Sequence, residues 1–241
     1  MHLLVLGATG KTGALAYQYA LELGNHVTIL VRDASKINPH ANLTVVEGSA
    51  MLEADMDRAF AAAAGVPVDT VLQCLNPHRA ANHPWAKFLG PPRLMADSTA
   101  LAAHALRRQG HQLGGHKPRL IAMNALGAGQ SRKAAPIITK FLIDYSNIGW
   151  TYVDHDAVDA EIEQNCGQEV DWTIVFAVAL SGGGGGLIGG PSGLKPVRTF
   201  AHTDPGSNWA ITRESCARWM VDVATGRLGD EFSNKRVIVS N

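Results

Sequence analysis

An excess of either charge is missing: Lys plus Arg total 21, Asp plus Glu total 21, and no basic stretch carries interleaved aromatics. That excludes an electrostatic nucleic-acid binder. No apolar run reaches the roughly 20 residues that cross a bilayer. The initial HLLVL runs straight into a glycine rather than into a cleavable segment, so neither membrane nor export is expected. Cysteine is scarce. Cys74, Cys166 and Cys216 form an odd, scattered set, read as reduced thiols of a cytoplasmic protein and not as a disulfide frame. Ten histidines give no metal pattern: His104, His111 and His116 never fall at i, i+4, and a glycine-containing loop separates them. What remains is a chain of 241 residues, 46% hydrophobic, that suits one large α/β domain over residues 1–241.

The informative stretch is LLVLGATGKTGALA, Leu3 to Ala16. Its GKT ends like a P-loop, but Val5 stands where that loop needs its first glycine, inside an apolar run that reads as a buried strand. The alternative is strand, glycine turn, helix. HLLVL precedes Gly7, and Thr12 to Glu22 is helix-forming up to Gly24. Glycines let the backbone approach a pyrophosphate, the helix start supplies N–H donors, and Gly13 permits close helix–strand packing. Gly7, Thr9, Gly10, Lys11, Thr12 and Gly13 are therefore the expected dinucleotide cradle, with a ligand-free tight turn as the plainer reading.

Further strands are expected at His26–Arg32, Leu43–Gly48, Val68–Leu75, Arg119–Asn124, Asp171–Val178 and Arg236–Ser240. Helices are expected before Gly65, from Pro91 to Gly110, at Ala134–Asn147, at Val153–Cys166 and at Thr212–Thr225. This alternation gives a doubly wound, Rossmann-type parallel sheet with a small C-terminal substrate region. Residues 179–210, with the tract SGGGGGLIGGPSG, read as a flexible loop region on the substrate side, a mobile surface loop or a lid.

The second strand ends in Val31-Arg32-Asp33, with Lys36 just beyond. A guanidinium there suits the 2′-phosphate of NADP(H), whereas an acidic residue suits NAD; a solvated strand end is the plainer reading. Ligands of such sheets bind beyond the carboxyl ends of the strands. That rule selects Leu75 and Asn76 after the fourth strand and Asn124 after the fifth, although asparagines also make turns.

GATGKTG, LVRDASK, YVDHDAVDAEIE (Tyr152 to Glu163), DWTIV and AITRESCARWMVDVA together resemble the atypical short-chain dehydrogenase/reductases. The closer similarity is to their NmrA-like, NAD(P)H-binding branch, which includes biliverdin-IXβ/flavin reductases. The resemblance spans essentially the whole chain and implies about seven parallel strands. The Tyr-x-x-x-Lys acid pair of that superfamily is absent: Gly149 follows Tyr145 at that spacing, and Asp156 follows Tyr152. Relatives often carry Ser or Thr where Asn124-Ala125 stands, Arg-Pro where Phe176-Ala177 stands, and an acidic residue at Ser49.

Hydride transfer to a conjugated ring does not require that acid. His155 is the side chain nearby whose ordinary pKa suits acid–base work near neutrality. With Tyr152 and Asn124 it is a catalytic candidate; a capping or supporting role beside Asp154 is the plainer reading. Three functions stay open. One is an NADPH-dependent reductase of a small, flat, largely apolar acceptor, another a non-catalytic NADP(H)-binding redox sensor, and the third a non-redox isomerase or cyclase on the same scaffold.

Overall fold

The computed structural model describes residues 1–241 except 64, 82, 111–114 and 183–192. Its strands are β1 (His2–Leu6), β2 (His26–Val31), β3 (Leu43–Glu47), β4 (Thr70–Gln73), β5 (His78–Arg79), β6 (Phe88–Leu89), β7 (Arg119–Ala125), β8 (Asp171–Ala177), β9 (Ala179–Ser181), β10 (Arg198–Ala201), β11 (Ala210–Thr212) and β12 (Lys235–Ser240). The helices are α1 (Lys11–Glu22), α2 (Glu53–Ala61), α3 (Leu94–Gln109), α4 (Ile137–Tyr145), α5 (Ile148–Asn165) and α6 (Arg213–Ala224).

Eight strands form the main sheet in the order β3-β2-β1-β4-β7-β8-β12-β10. Seven run parallel, and β10 closes the edge antiparallel to β12. The chain winds outward from β1 through β2 to β3, then crosses back to β4 on the other side of β1. The carboxyl ends of β1 and β4 therefore border the crevice where doubly wound sheets hold ligands. A central parallel strand is covered on both faces, which is why HLLVL is apolar throughout and every residue of β1 is buried. Leu3, Leu4, Val5 and Leu6 are wholly sequestered, each contributing roughly 1.5–3 kcal/mol by burial. The polar exception, His2, fits because its ring bonds Thr28 Oγ1 at 2.8 Å and the Val66 carbonyl at 3.0 Å. Helix α1 packs on α6, while α3 packs on both α2 and α5.

Helical boundaries depart from expectation where prolines and close contacts intervene. The segment from Pro91 enters helix only at Leu94, beyond the Pro-Pro pair. The helix expected at Ala134–Asn147 is the shorter α4, which starts after Pro136, with a 3-10 turn at Gly129–Lys133 ahead of it. Helix α5 begins five residues before Val153, because Gly149 lets its first turn lie against the Ile143 carbonyl at the end of α4. Of the loop region at 179–210, β9, β10 and the start of β11 are strand. The glycine tract lies almost wholly outside the described residues. No helix among the described residues is long and apolar enough to cross a membrane.

Candidate cofactor and substrate site

At the β1–α1 turn the glycines are dictated by contact. Gly7 has φ +83°, and a Cβ there would lie 2.7 Å from the Cys74 carbonyl, so the ends of β1 and β4 touch at this residue. A Cβ on Gly13 would run into the Gly7 carbonyl oxygen. The Gly10 amide donates to the same oxygen at 2.9 Å, and its own carbonyl accepts from Ala14 N at 2.9 Å as α1 begins. Gly10 offers no side-chain cap, and the first turn of α1 carries no acidic residue. An uncapped helix start without local negative charge favours an anion. Thr9 and Lys11 are exposed beside it, and Thr12 is buried. This turn fits a pyrophosphate.

Arg32, one residue past β2, is exposed and has neither ion pair nor hydrogen bond among the described residues. Lys36 is exposed as well. The nearby carboxylates are turned to the loop. Asp33 accepts from Ser35 N at 2.9 Å; the Ser35 hydroxyl, then its amide, then the charge of Lys36 hold the carboxyl below its ordinary value, and Glu47 accepts from Ala34 N at 3.2 Å. Ser49 donates its amide to Asp55 at 2.7 Å. Among the described residues the Arg32 guanidinium is left without a carboxylate partner at the β2 end.

After β4, Leu75 is half-buried and Asn76 exposed, leading into the β5–β6 hairpin. At the end of β7, Asn124 is buried and spent on structure. Its Nδ2 donates to the His155 carbonyl at 3.0 Å, and its Oδ1 accepts from Ala125 N at 2.7 Å. Tyr152 donates its hydroxyl to the Leu126 carbonyl at 2.8 Å, and burial raises its pKa further. Its ring lies 5.4 Å from that of His155.

His155 lies in the second turn of α5, not at its start, and is 5% exposed. Burial lowers its pKa to about 4, and its Nδ1 has no hydrogen-bond partner. The imidazole is therefore neutral at pH 7, unlike the titrating group its residue type suggests. Its neighbours do not pair with it. Asp154 accepts from Met95 N and Ala96 N, both at 2.9 Å, and Asp156 accepts from Gly129 N at 2.6 Å. Asp154 thus caps α3 from another helix, a role that residue type and spacing along α5 do not announce.

A cavity of about 600 Å³ opens at the opposite, amino-terminal edge of the sheet, lined by Asp69, Arg119, Asp171 and Asp230 among others. Across it Arg119 pairs with Asp171 at 2.9 Å and also with Asp230. That edge is the wrong one for ligands of a doubly wound sheet. No cluster of three or more His, Cys, Asp or Glu among the described residues is placed to hold a metal ion.

Comparison with known proteins fits this geometry. A short-chain dehydrogenase/reductase from Veillonella parvula, solved in complex with NADP, superposes with a TM-score of 0.71 at 15% identity, over 100% of this chain and 94% of that one. ChuY, an anaerobillin reductase from Escherichia coli O157:H7, gives 0.68 at 14% identity, over 99% and 96%. An oxidoreductase from Lactococcus lactis gives 0.64 at 13%, over 100% and 91%. No curated protein matches the sequence. At these identities the structures speak to the fold, whereas the sequence profile described as NAD(P)H-binding matches residues 7–227. With nearly its whole length matched, the chain belongs to the NAD(P)H-binding family.

Proposed function

We propose that the protein is an NADPH-dependent reductase that delivers hydride to a flat, largely apolar acceptor. One observation carries the reading: around the β7–α5 corner the candidate polar side chains are withdrawn into structure, while large apolar ones face outward. Ile137 is 86% exposed, and Ile138, Phe141 and Tyr145 share its side of α4; Trp85 and Leu89 project from the segment that follows β4. Both segments leave the sheet at its carboxyl edge, where the acceptor meets the cofactor in such folds. The neighbours with reductase and oxidoreductase names support the same class.

The bound nicotinamide supplies the hydride. The chain's own part is placement. Amides from Gly10 to Gly13 receive the pyrophosphate, Arg32 with Lys36 receives the 2′-phosphate, and Leu75 with Asn76 flanks the nicotinamide ribose. Asn124 fixes the end of β7, and Tyr152 and neutral His155 shape the wall beside it. The proton comes from solvent, since none of these side chains is poised to give one. A redox sensor is the second reading, favoured by the same lack of a proton donor.

The test is NADPH oxidation, followed by nicotinamide absorbance, against flavins and quinones. Oxidation that requires an acceptor, and that persists within about threefold in Tyr152→Phe, is the expected result. Tight binding of NADPH without turnover on any acceptor would instead favour the sensor.

A further inference from the structure

Of the 13 arginines, nine are ion-paired among the described residues. The other four are Arg32, Arg79, Arg198 and Arg213. Arg32 is assigned above, and Arg198 is exposed on the edge strand β10. Arg213 is buried, but its guanidinium donates to the Gly182 carbonyl and feels the charge of Glu214. Arg79 alone is without explanation. It is partly buried, its Nη1 is sealed from water with no acceptor, and the guanidinium has no hydrogen bond among the described residues. Among the described residues the Phe88 ring, 5.9 Å from Cζ, is its one charge-compensating contact, and burial lowers its pKa. Sealing a guanidinium nitrogen from water without an acceptor is costly, so one that is retained points to an anion from outside the chain.

Its position says which anion. Arg79 is five residues past Cys74, the residue against which Gly7 packs, so its backbone lies within about 18 Å of the switch point. The hairpin is tied at its far side to the α4–α5 corner, where Asn147 Nδ2 donates to the Trp85 carbonyl at 2.6 Å. Arg79 thus sits on a strap running from the end of β4 to the segment that follows β7. The cofactor phosphates belong to the β1–α1 turn and to the end of β2, which lies on the other side of β1.

We propose that Arg79 binds a carboxylate or phosphate carried by the acceptor. This rests on the reductase reading and sharpens it: the acceptor is an apolar ring system with an anionic arm. A guanidinium can grip either oxyanion through paired N–H donors.

Flavin mononucleotide and riboflavin share one ring system and differ by a phosphate, so they are the probes. Each is titrated into protein saturated with NADP⁺, using the wild type and Arg79→Met. In the wild type, flavin mononucleotide binds about 10- to 100-fold more tightly than riboflavin; in the variant the two agree within about threefold. NADPH affinity is unchanged, and the ligand-free variant melts no lower than wild type, which an arginine kept for structure would not allow. Equal affinities in the wild type, or discrimination that survives in the variant, would overturn the site. So would a variant that loses NADPH affinity, or one that melts well below wild type without ligand. If neither flavin binds, inorganic phosphate decides: a saturable rise in Tm lost in Arg79→Met upholds the site, and no such rise overturns it. NADPH oxidation is scored separately. Phosphate-dependent binding without oxidation would leave the site standing and remove the reductase reading.

Discussion

Arg32 is informative because no carboxylate among the described residues pairs with it. Asp33 and Glu47, either of which could hold a ribose hydroxyl, are engaged by the Ser35 and Ala34 amides. Arg32→Ala should therefore weaken NADPH binding about 10- to 100-fold and leave NADH within about threefold, read by calorimetric titration. Equal losses for both would remove the 2′-phosphate role. At this scale the sequence was legible where a residue acts through its own shape. The spacing of Gly7 and Gly13 announced a tight turn with helix–strand packing, and a Cβ at either would strike backbone. It was not legible where surroundings redefine the group. His155 has the residue type of an acid–base catalyst, yet burial keeps it neutral, and no pattern along one helix reveals what covers it. Asn124 likewise reads as a free amide at a strand end, but both of its polar ends are satisfied by α5 and by its own strand.

At the scale of elements, α3 has an end that local sequence does not finish. Arg93, its N-cap residue, makes no side-chain cap bond, and the first-turn amides of Met95 and Ala96 are satisfied by Asp154 of α5. Asp154→Ala should cost about 1–3 kcal/mol, because two buried N–H groups lose their acceptor. Asp154→Asn, which keeps one acceptor oxygen, should cost less. Urea midpoints of the three proteins check the order; an Ala variant as stable as wild type would show that water replaces the cap. Long strands and helices were legible from their periods. The two-residue strands β5 and β6 and the three-residue β9 and β11 were not, being too short for any period to register. The early start of α5 was hidden for another reason: its opening IGWTYV is rich in glycine, aromatic and β-branched residues, and close packing on α4 overrides that local preference.

For the molecule as a whole, burial of histidine gives stability a pH dependence of defined sign. As pH falls through 6.5 the unfolded chain takes up a proton at residue 155, whereas the folded chain does so only near 4. Stability is therefore full above about 6.5 and declines between 6.5 and 4, by about 1.4 kcal/mol per pH unit from this group. His2, lowered by burial, adds to the decline. Asp154 and Asp156, raised by burial, oppose it only in the acidic part of that range, where the folded form holds protons the unfolded form has released. Urea unfolding between pH 7.5 and 5 should show this slope in the wild type and a shallower one in His155→Gln; an unchanged slope would assign the effect elsewhere. The parallel sheet itself was legible from the alternation of strands and helices, but the antiparallel β10 was not, since it is fixed by pairing with β12 rather than by its own four residues. The carboxylate that caps α3 also orders events in time. It arrives 59 residues after Met95, so at synthesis rates of about 5–20 residues per second the start of α3 waits roughly 3–12 s for its acceptor. Through that interval the first turn of α3 has only water to satisfy it, and amide exchange in a nascent chain, or in one truncated before residue 154, should find that turn open.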